Sequence, residues 1–494
     1  MNKIQENVTL LSEEGRDKLY ENMGNLIKEL FPVLHSRLSL LLVMRKSTDN
    51  GQQQIILKNI TELHASVLYV IIEIATALRA DFRSDIMIER RINLKYLVFI
   101  TAEFYKAYFM TEKSSWNRVS SFLTSLQNDK INNIVAGINE NVVFYRDNYF
   151  DSCIDKNYRD MSLHYDFDIE KLYRYLVNID EEVEARRICS FLAVVQPLNN
   201  LLILCTSIIE NPMNNESLDL QETKLDKCLI KTLMKGLYTK IGSEIQKYSN
   251  FLDKNMHTYA IFENLPEKWL SLFSEEDIND LKNKRDVAKL PILLHYVYID
   301  LGVAIRGFLA SEYYIERRLN LIRLNLIMYE GYNKIYRSKE NTNTLSLWKQ
   351  YVYNNLSSCE YKRIRNELED IDSILYSFDE DGTIRNIRHK YAHIKKGKKL
   401  YLQELWKILL DMSFEGELKK ALAFLQLLPR IIRLSDYGIK DISEKENIKY
   451  QQKLFEPYNK FRSKIQDSNM PQKDKERVLK VLEDGMNRLL DMFK

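Results

Sequence analysis

The chain repeats part of itself. Residues 69–105 read YVIIEIATALRADFRSDIMIERRINLKYLVFITAEFY, and residues 296–332 read YVYIDLGVAIRGFLASEYYIERRLNLIRLNLIMYEGY. Without a gap, at least 15 of these 37 positions are identical, among them Tyr69/Tyr296, Arg79/Arg306, Glu89/Glu316, Arg90/Arg317, Arg91/Arg318, Asn93/Asn320 and Glu103/Glu330. Chance at average composition gives about two or three. The likeness extends outward with small insertions. Leu19-Tyr20-Glu21-Asn22-Met23-Gly24 parallels Leu237-Tyr238-Thr239-Lys240-Ile241-Gly242, and Trp116 falls near Trp348. A repeat of roughly 220 residues is a domain, far longer than a solenoid unit. The expectation is two tandem copies of one domain, copy A over 1–210 and copy B over 232–435. A linker at 211–231 contains Asn211-Pro212-Met213-Asn214-Asn215, and an extension covers 436–494.

Composition narrows the fold of each copy. Gly and Pro together are 22 of 494 residues, where average usage gives about 12%. So few turn formers disfavour sandwiches, barrels and Gly-rich nucleotide loops, and favour long helices with short connections. Leu94, Leu97, Val98 and Ile100 recur at helical spacing, and no convincing period-2 strand is present. The fold class is therefore all-α. The extension also reads as helix, with Pro471 in a first turn and an apolar stripe through Val478, Leu479, Leu482, Met486, Leu489, Leu490 and Phe493.

Five cysteines without a C-x-x-C pair fit a reducing cytosol and exclude a disulfide scaffold or a Cys-type zinc site. The first residues run into a charged segment unlike a signal peptide. The longest apolar stretch, Ser190 to Ile209, is broken by Gln196, Pro197, Asn199 and Asn200, which suits a buried kinked helix better than a membrane span. The expectation is a cytoplasmic protein with no membrane partner. The net charge of +3 creates no strong global field, so any attraction for nucleic acid must be local. Neither a nucleotide-loop nor a metalloprotease motif occurs, and no metal or cofactor is expected.

Of seven histidines, two follow an arginine by five residues: Arg159-Asp160-Met161-Ser162-Leu163-His164 and Arg388-His389-Lys390-Tyr391-Ala392-His393. One such pair is ordinary surface decoration. Their arginines, however, lie 229 residues apart, close to the 227-residue repeat offset, in flanks that otherwise diverge. The pattern resembles the HEPN superfamily, helical-bundle domains found in many RNA-cleaving toxins and defence proteins. The signature there is Arg, a polar residue, a short spacer and His.

The resemblance implies a metal-independent endoribonuclease in which two motifs face one another across an interface. Here both would come from one chain. Arg159, His164, Arg388 and His393 would be catalytic, with Asp160 and His389 orienting the histidines. Histidine can move the 2′-hydroxyl proton and protonate the leaving oxygen, and arginine can fork onto the phosphate. Arg385, Lys395, Lys396, Lys398 and Lys399 form a basic run without an acid, suited to the RNA backbone. The implied partners are RNA, an antitoxin or regulatory protein in a toxin or antiviral setting, and a second copy of the chain as a homodimer. Copy A departs from the pattern, with Leu163 where Ala392 stands and an acidic neighbourhood of Asp151, Asp155, Asp166, Asp168 and Glu170. The rival reading is a catalytically silent RNA- or protein-binding module that kept the fold. The retained Glu-Arg-Arg triplets read foremost as ion pairs between helices.

Overall fold

The structure is a computed structural model, described here for residues 13–46, 51–110, 114–150, 169–207, 229–263, 275–337, 346–394, 401–468 and 470–492. Among the described residues every regular element is a helix, so the protein is all-α as expected. The first run comprises α1 (Glu13–Lys46), α2 (Gln52–Arg83), α3 (Met87–Tyr108), α4 (Ser115–Ser125) and α5 (Asp129–Tyr145), which ends in a π-helical turn at Arg146–Phe150. It continues through α6 (Ile169–Val177) and α7 (Glu181–Ser207). The second run comprises α8 (Leu229–Glu263), α9 (Glu275–Ala310) and α10 (Tyr314–Ile335), then a π-helical turn at Trp348–Tyr353. After it come α11 (Lys362–Ser377), α12 (Thr383–Ile394), α13 (Tyr401–Asp411), α14 (Phe414–Gln466) and α15 (Gln472–Met492).

α2 packs against α1, α3 and α7, and α9 packs against α8, α10 and α14. α3 and α10 meet the other run as well as their own, and both are buried around most of their circumference. That burial includes Glu89, Arg91, Asn93 and Lys95 on α3, and Glu316, Arg318, Asn320 and Arg323 on α10. A helix enclosed on all sides must satisfy such groups internally.

The satisfaction is crossed between the runs. Arg79 Nε lies 3.0 Å from Glu316 Oε1, and Arg306 Nη1 donates to Glu89 Oε2 at 2.6 Å. Each arginine also lies over a tyrosine, Tyr20 at 4.0 Å and Tyr238 at 3.9 Å from the ring centroid. Each has a glycine beside it. A Cβ at Gly24 would overlap Arg79 Nη1, and one at Gly242 would come within 2.9 Å of Arg306 Nη1. Glu316 additionally accepts the backbone N–H groups of Tyr313 and Glu312, closing the start of α10. Between these pairs, Lys95 Nζ donates to Asp300 at 2.7 Å and Arg323 Nη1 to Asn93 Oδ1 at 2.7 Å. Trp116 and Trp348 are both fully buried, with the indole N–H donating to Asn139 in one run and Asp372 in the other.

The first residue of each Glu-Arg-Arg triplet thus pairs across the runs. Three of the arginines bond within their own run: Arg90 to Glu181, Arg317 to the Ser311 carbonyl and Arg318 to the Met412 carbonyl. α14 runs unbroken through position 435, so the C-terminal extension begins inside a continuous 53-residue helix. Pro471 stands just before α15, where its carbonyl accepts from Asp474 and Lys475. Val478 of the apolar stripe is exposed, as is Val481 outside it.

Three helices are long and apolar enough to cross a membrane by length and composition: Gln54–Arg83, Glu181–Thr206 and Lys289–Ala310. Their apolar windows are buried within the protein to 67%, 44% and 100% respectively. α7 continues through Pro197 and buries Phe191, Val194, Val195, Leu198, Leu201 and Leu202 on one side, leaving Ile203 and Leu204 exposed.

Candidate functional site

The second Arg/His motif lies on α12. Two aspartates begin this helix: Asp381 Oδ1 accepts from the Thr383 N–H at 3.0 Å, and Asp379 Oδ1 from the Ile384 N–H at 3.1 Å. The bond to the Thr383 N–H holds the Asp381 carboxyl below its usual range. Gly382, at φ +65°, makes the left-handed turn that leads from them into the helix. Ile384, Ile387 and Tyr391, at helical spacing, are buried to 2% exposure or less and seat α12 on α10. Burying each apolar side chain contributes about 1.5–3 kcal/mol and sets which way the helix faces.

That orientation leaves Arg385 and His389 exposed, and Arg388 and Lys390 half-buried. Arg388 Nε donates to Glu330 Oε1 on α10 at 3.1 Å, the arginine side chain 28% exposed and the glutamate 4%. The guanidinium also lies 5.4 Å from the Tyr329 ring centroid. Lys390 Nζ donates to Glu404 on α13 at 2.5 Å. The half-buried arginine therefore keeps a face toward solvent while a fixed carboxylate holds its Nε edge, a geometry able to receive a phosphate oxygen.

Tyr391 takes α12 to the other run of helices. Its hydroxyl donates to Glu73 Oε1 on α2 at 2.5 Å, and its ring stacks on Phe99 of α3 with centroids 6.5 Å apart. Glu73 Oε1 also accepts from Tyr96 at 2.8 Å. Burial, and then the adjacent carboxylate, push both phenols well above their ordinary value of 10, so both remain donors. A small internal space beside this cluster is bordered by Ser66, Tyr69, Glu73, Phe104, Tyr108 and Tyr391, with room for about one water.

Of the residues expected at the site, Arg385, Arg388 and His389 share α12. His393 occupies the last turn of that helix, and its side chain lies outside the described set. Arg159, Asp160, His164, Lys395, Lys396, Lys398 and Lys399 lie outside the described residues. The structure thus joins Arg388 to Glu330 and Tyr391 to Glu73. Neither acid was singled out as a site residue from sequence, yet both left a trace there. Glu330 is identical to its repeat partner Glu103, and Glu73 is matched by the acid Asp300. Among the described residues no group of three or more His, Cys, Asp or Glu side chains is placed to hold a metal ion. No protein-family model, curated protein or solved structure matches this chain.

Proposed function

We propose that the chain is a metal-independent endoribonuclease built from two tandem HEPN-like bundles, with Arg388 and His393 as its principal catalytic pair. The observation that carries this reading is the seat of α12. A helix of residues 232–435 bearing the Arg/His motif is bonded through Tyr391 to Glu73 in residues 1–210, with Arg388 half-exposed beside that junction. A composite site needs a motif helix at such a junction.

The duplication draws support from paired positions doing paired work. Arg79 and Arg306, Glu89 and Glu316, Tyr20 and Tyr238, and Gly24 and Gly242 play the same parts in the two crossed clusters. Two copies related by an approximate two-fold would produce such reciprocity, because an isologous contact uses each surface twice. Arg159 and His164 would complete the site from copy A, with Asp160 and His389 orienting the imidazoles and Arg385, Lys395, Lys396, Lys398 and Lys399 guiding RNA. A cytoplasmic location without a membrane partner draws support from the burial of Gln54–Arg83 and Lys289–Ala310, 67% and 100% of their apolar windows, and less from Glu181–Thr206 at 44%. The toxin or antiviral setting, an antitoxin or regulatory partner and a homodimer follow from the HEPN resemblance alone.

Proton transfer falls to histidine, and Arg388 would offset charge developing on the phosphate. In-line attack by the 2′-oxygen leaves 2′,3′-cyclic phosphate and 5′-hydroxyl ends. The expected result is cleavage of single-stranded RNA in excess EDTA with those ends, reduced about 10²–10⁴-fold by His393→Ala and by a similar factor in Arg388→Ala. Loss of cleavage in EDTA, or full activity in His393→Ala/His164→Ala, would refute the mechanism. The ion pair of Arg388 with Glu330 favours one second reading, a silent binding module in which the arginine is structural. Tight RNA or protein binding without cleavage under any condition would select it.

A further inference from the structure

We propose that Glu73 is a positioning residue for the α12 motif, acting from α2 through the hydroxyl of Tyr391; this rests on the ribonuclease reading above. Tyr391 stands three residues after Arg388 and two before His393. Whatever fixes Tyr391 fixes the rotation of α12 about its axis and the height of both motif residues along it. Apolar seating alone is a loose restraint. Ile384 and Ile387 lie toward the start of the helix, whereas His393 lies in its last turn. A helix end frays unless something holds it.

The Tyr391–Glu73 bond is the fully buried restraint on this end, beside the half-buried Lys390–Glu404 pair. It is short, 2.5 Å, and its acceptor is a carboxylate in a site where Glu73 is 4% and Tyr391 2% exposed. Charge-assisted bonds in such surroundings are stronger and more directional than neutral ones. The carboxylate is itself held in place, since Tyr96 donates to the same oxygen from α3. The repeat partner of Glu73, Asp300, instead receives Lys95. Among the described residues the two acids at matching positions thus have different partners, and Glu73 is the one that reaches α12. A displacement of the reacting groups by about 1 Å can cost on the order of 10² in rate without weakening ground-state binding.

The test uses the full chain with Tyr391→Phe, Glu73→Gln and Tyr96→Phe, followed by hydrogen exchange of the 387–394 amides and by steady-state RNA cleavage. Tyr391→Phe removes one oxygen from a buried ring and keeps the proposal testable if Glu73→Gln fails to fold. Tyr96→Phe takes a bond from the same carboxylate while leaving the Tyr391–Glu73 bond itself in place. The expected result for Tyr391→Phe and Glu73→Gln is exchange about tenfold faster in 387–394, with kcat lower by roughly 10- to 100-fold and KM within about twofold. Tyr96→Phe should lower kcat by less than Tyr391→Phe does, because the Tyr391 bond survives although Glu73 loses one of the donors that hold it. Exchange unchanged in Tyr391→Phe overturns the proposal whether or not RNA is cut. Faster exchange with unchanged kcat, or an equal loss in Tyr96→Phe, overturns the positioning role. A wild-type chain that cuts no RNA while exchange responds overturns the ribonuclease reading and the positioning role built on it, leaving a structural tie.

Discussion

Replacing Arg306 with methionine isolates the energetics of the crossed clusters. Both partners are almost completely enclosed, with Arg306 3% and Glu89 4% exposed and the Nη1–Oε2 distance 2.6 Å. Methionine keeps much of the volume against Tyr238 but strands the Glu89 carboxylate, with Ser84 Oγ as a remaining donor at 2.7 Å. Removing one member of a buried pair costs about 3–5 kcal/mol, because the surviving charge has lost both water and partner. The double variant Arg306→Met/Glu89→Gln carries no stranded charge. It should recover much of that loss, giving a coupling energy of about 1–3 kcal/mol. Guanidinium unfolding followed by helical circular dichroism measures all three variants against the parent. The pH dependence supplies a second signature. Burial raises the Glu89 carboxyl above its ordinary 4.5, opposed chiefly by Arg306. Without Arg306 the folded-state value rises further. The native state then holds a proton that the unfolded state releases, so stability falls as pH climbs from about 4.5 through the raised value. The deficit of Arg306→Met should be small near pH 4.5 and full above that window. A single-variant cost under about 1 kcal/mol at pH 7.5, or strict additivity in the double variant, would refute the buried-pair argument.

Two further groups should move stability in opposite directions over nearly the same pH range. Asp81 is buried, and burial, partly offset by Arg90, pushes its carboxyl from 3.8 up to about 7. Its unfavourable contribution therefore grows as pH rises across that interval. Asp81→Asn should be nearly neutral at pH 4 and stabilising above pH 7, by at most about 4 kcal/mol at about 1.4 kcal/mol per decade of proton affinity. A pH profile that keeps its slope in Asp81→Asn would contradict this. His64 is lowered from 6.5 to about 4 by burial and then by Arg37, whose Nε donates to its Nδ1 at 3.1 Å. Its contribution is complete above 6.5 and is lost as pH falls toward 4, and His64→Gln should flatten that acid limb in denaturant titrations at matched pH.

The helical class was legible because a scarcity of turn residues acts over the whole chain, whatever packs against what. The phase of α12 was legible in principle too, since Ile384, Ile387 and Tyr391 follow helical spacing and all three are buried. The length of α14 was not, because the sequence around position 435 offered no signal that one helix runs on from Phe414 to Gln466. Least legible were the acids that meet the motif helix. Arg388 and Glu330 are 58 residues apart, and Tyr391 and Glu73 are 318 apart. No periodicity links residues so distant. The repeat held the available clue. Arg79 matches Arg306 and Glu89 matches Glu316 in the self-comparison, and all four are enclosed where the two runs of helices meet, so the identity marks a shared contact. At positions 73 and 300 the self-match keeps an acid but changes its size, and among the described residues phenols donate to Glu73 and an amine to Asp300. An identical pair in a self-match thus pointed to what both halves need in common. A conservative mismatch, easily passed over, marked the acid that holds α12.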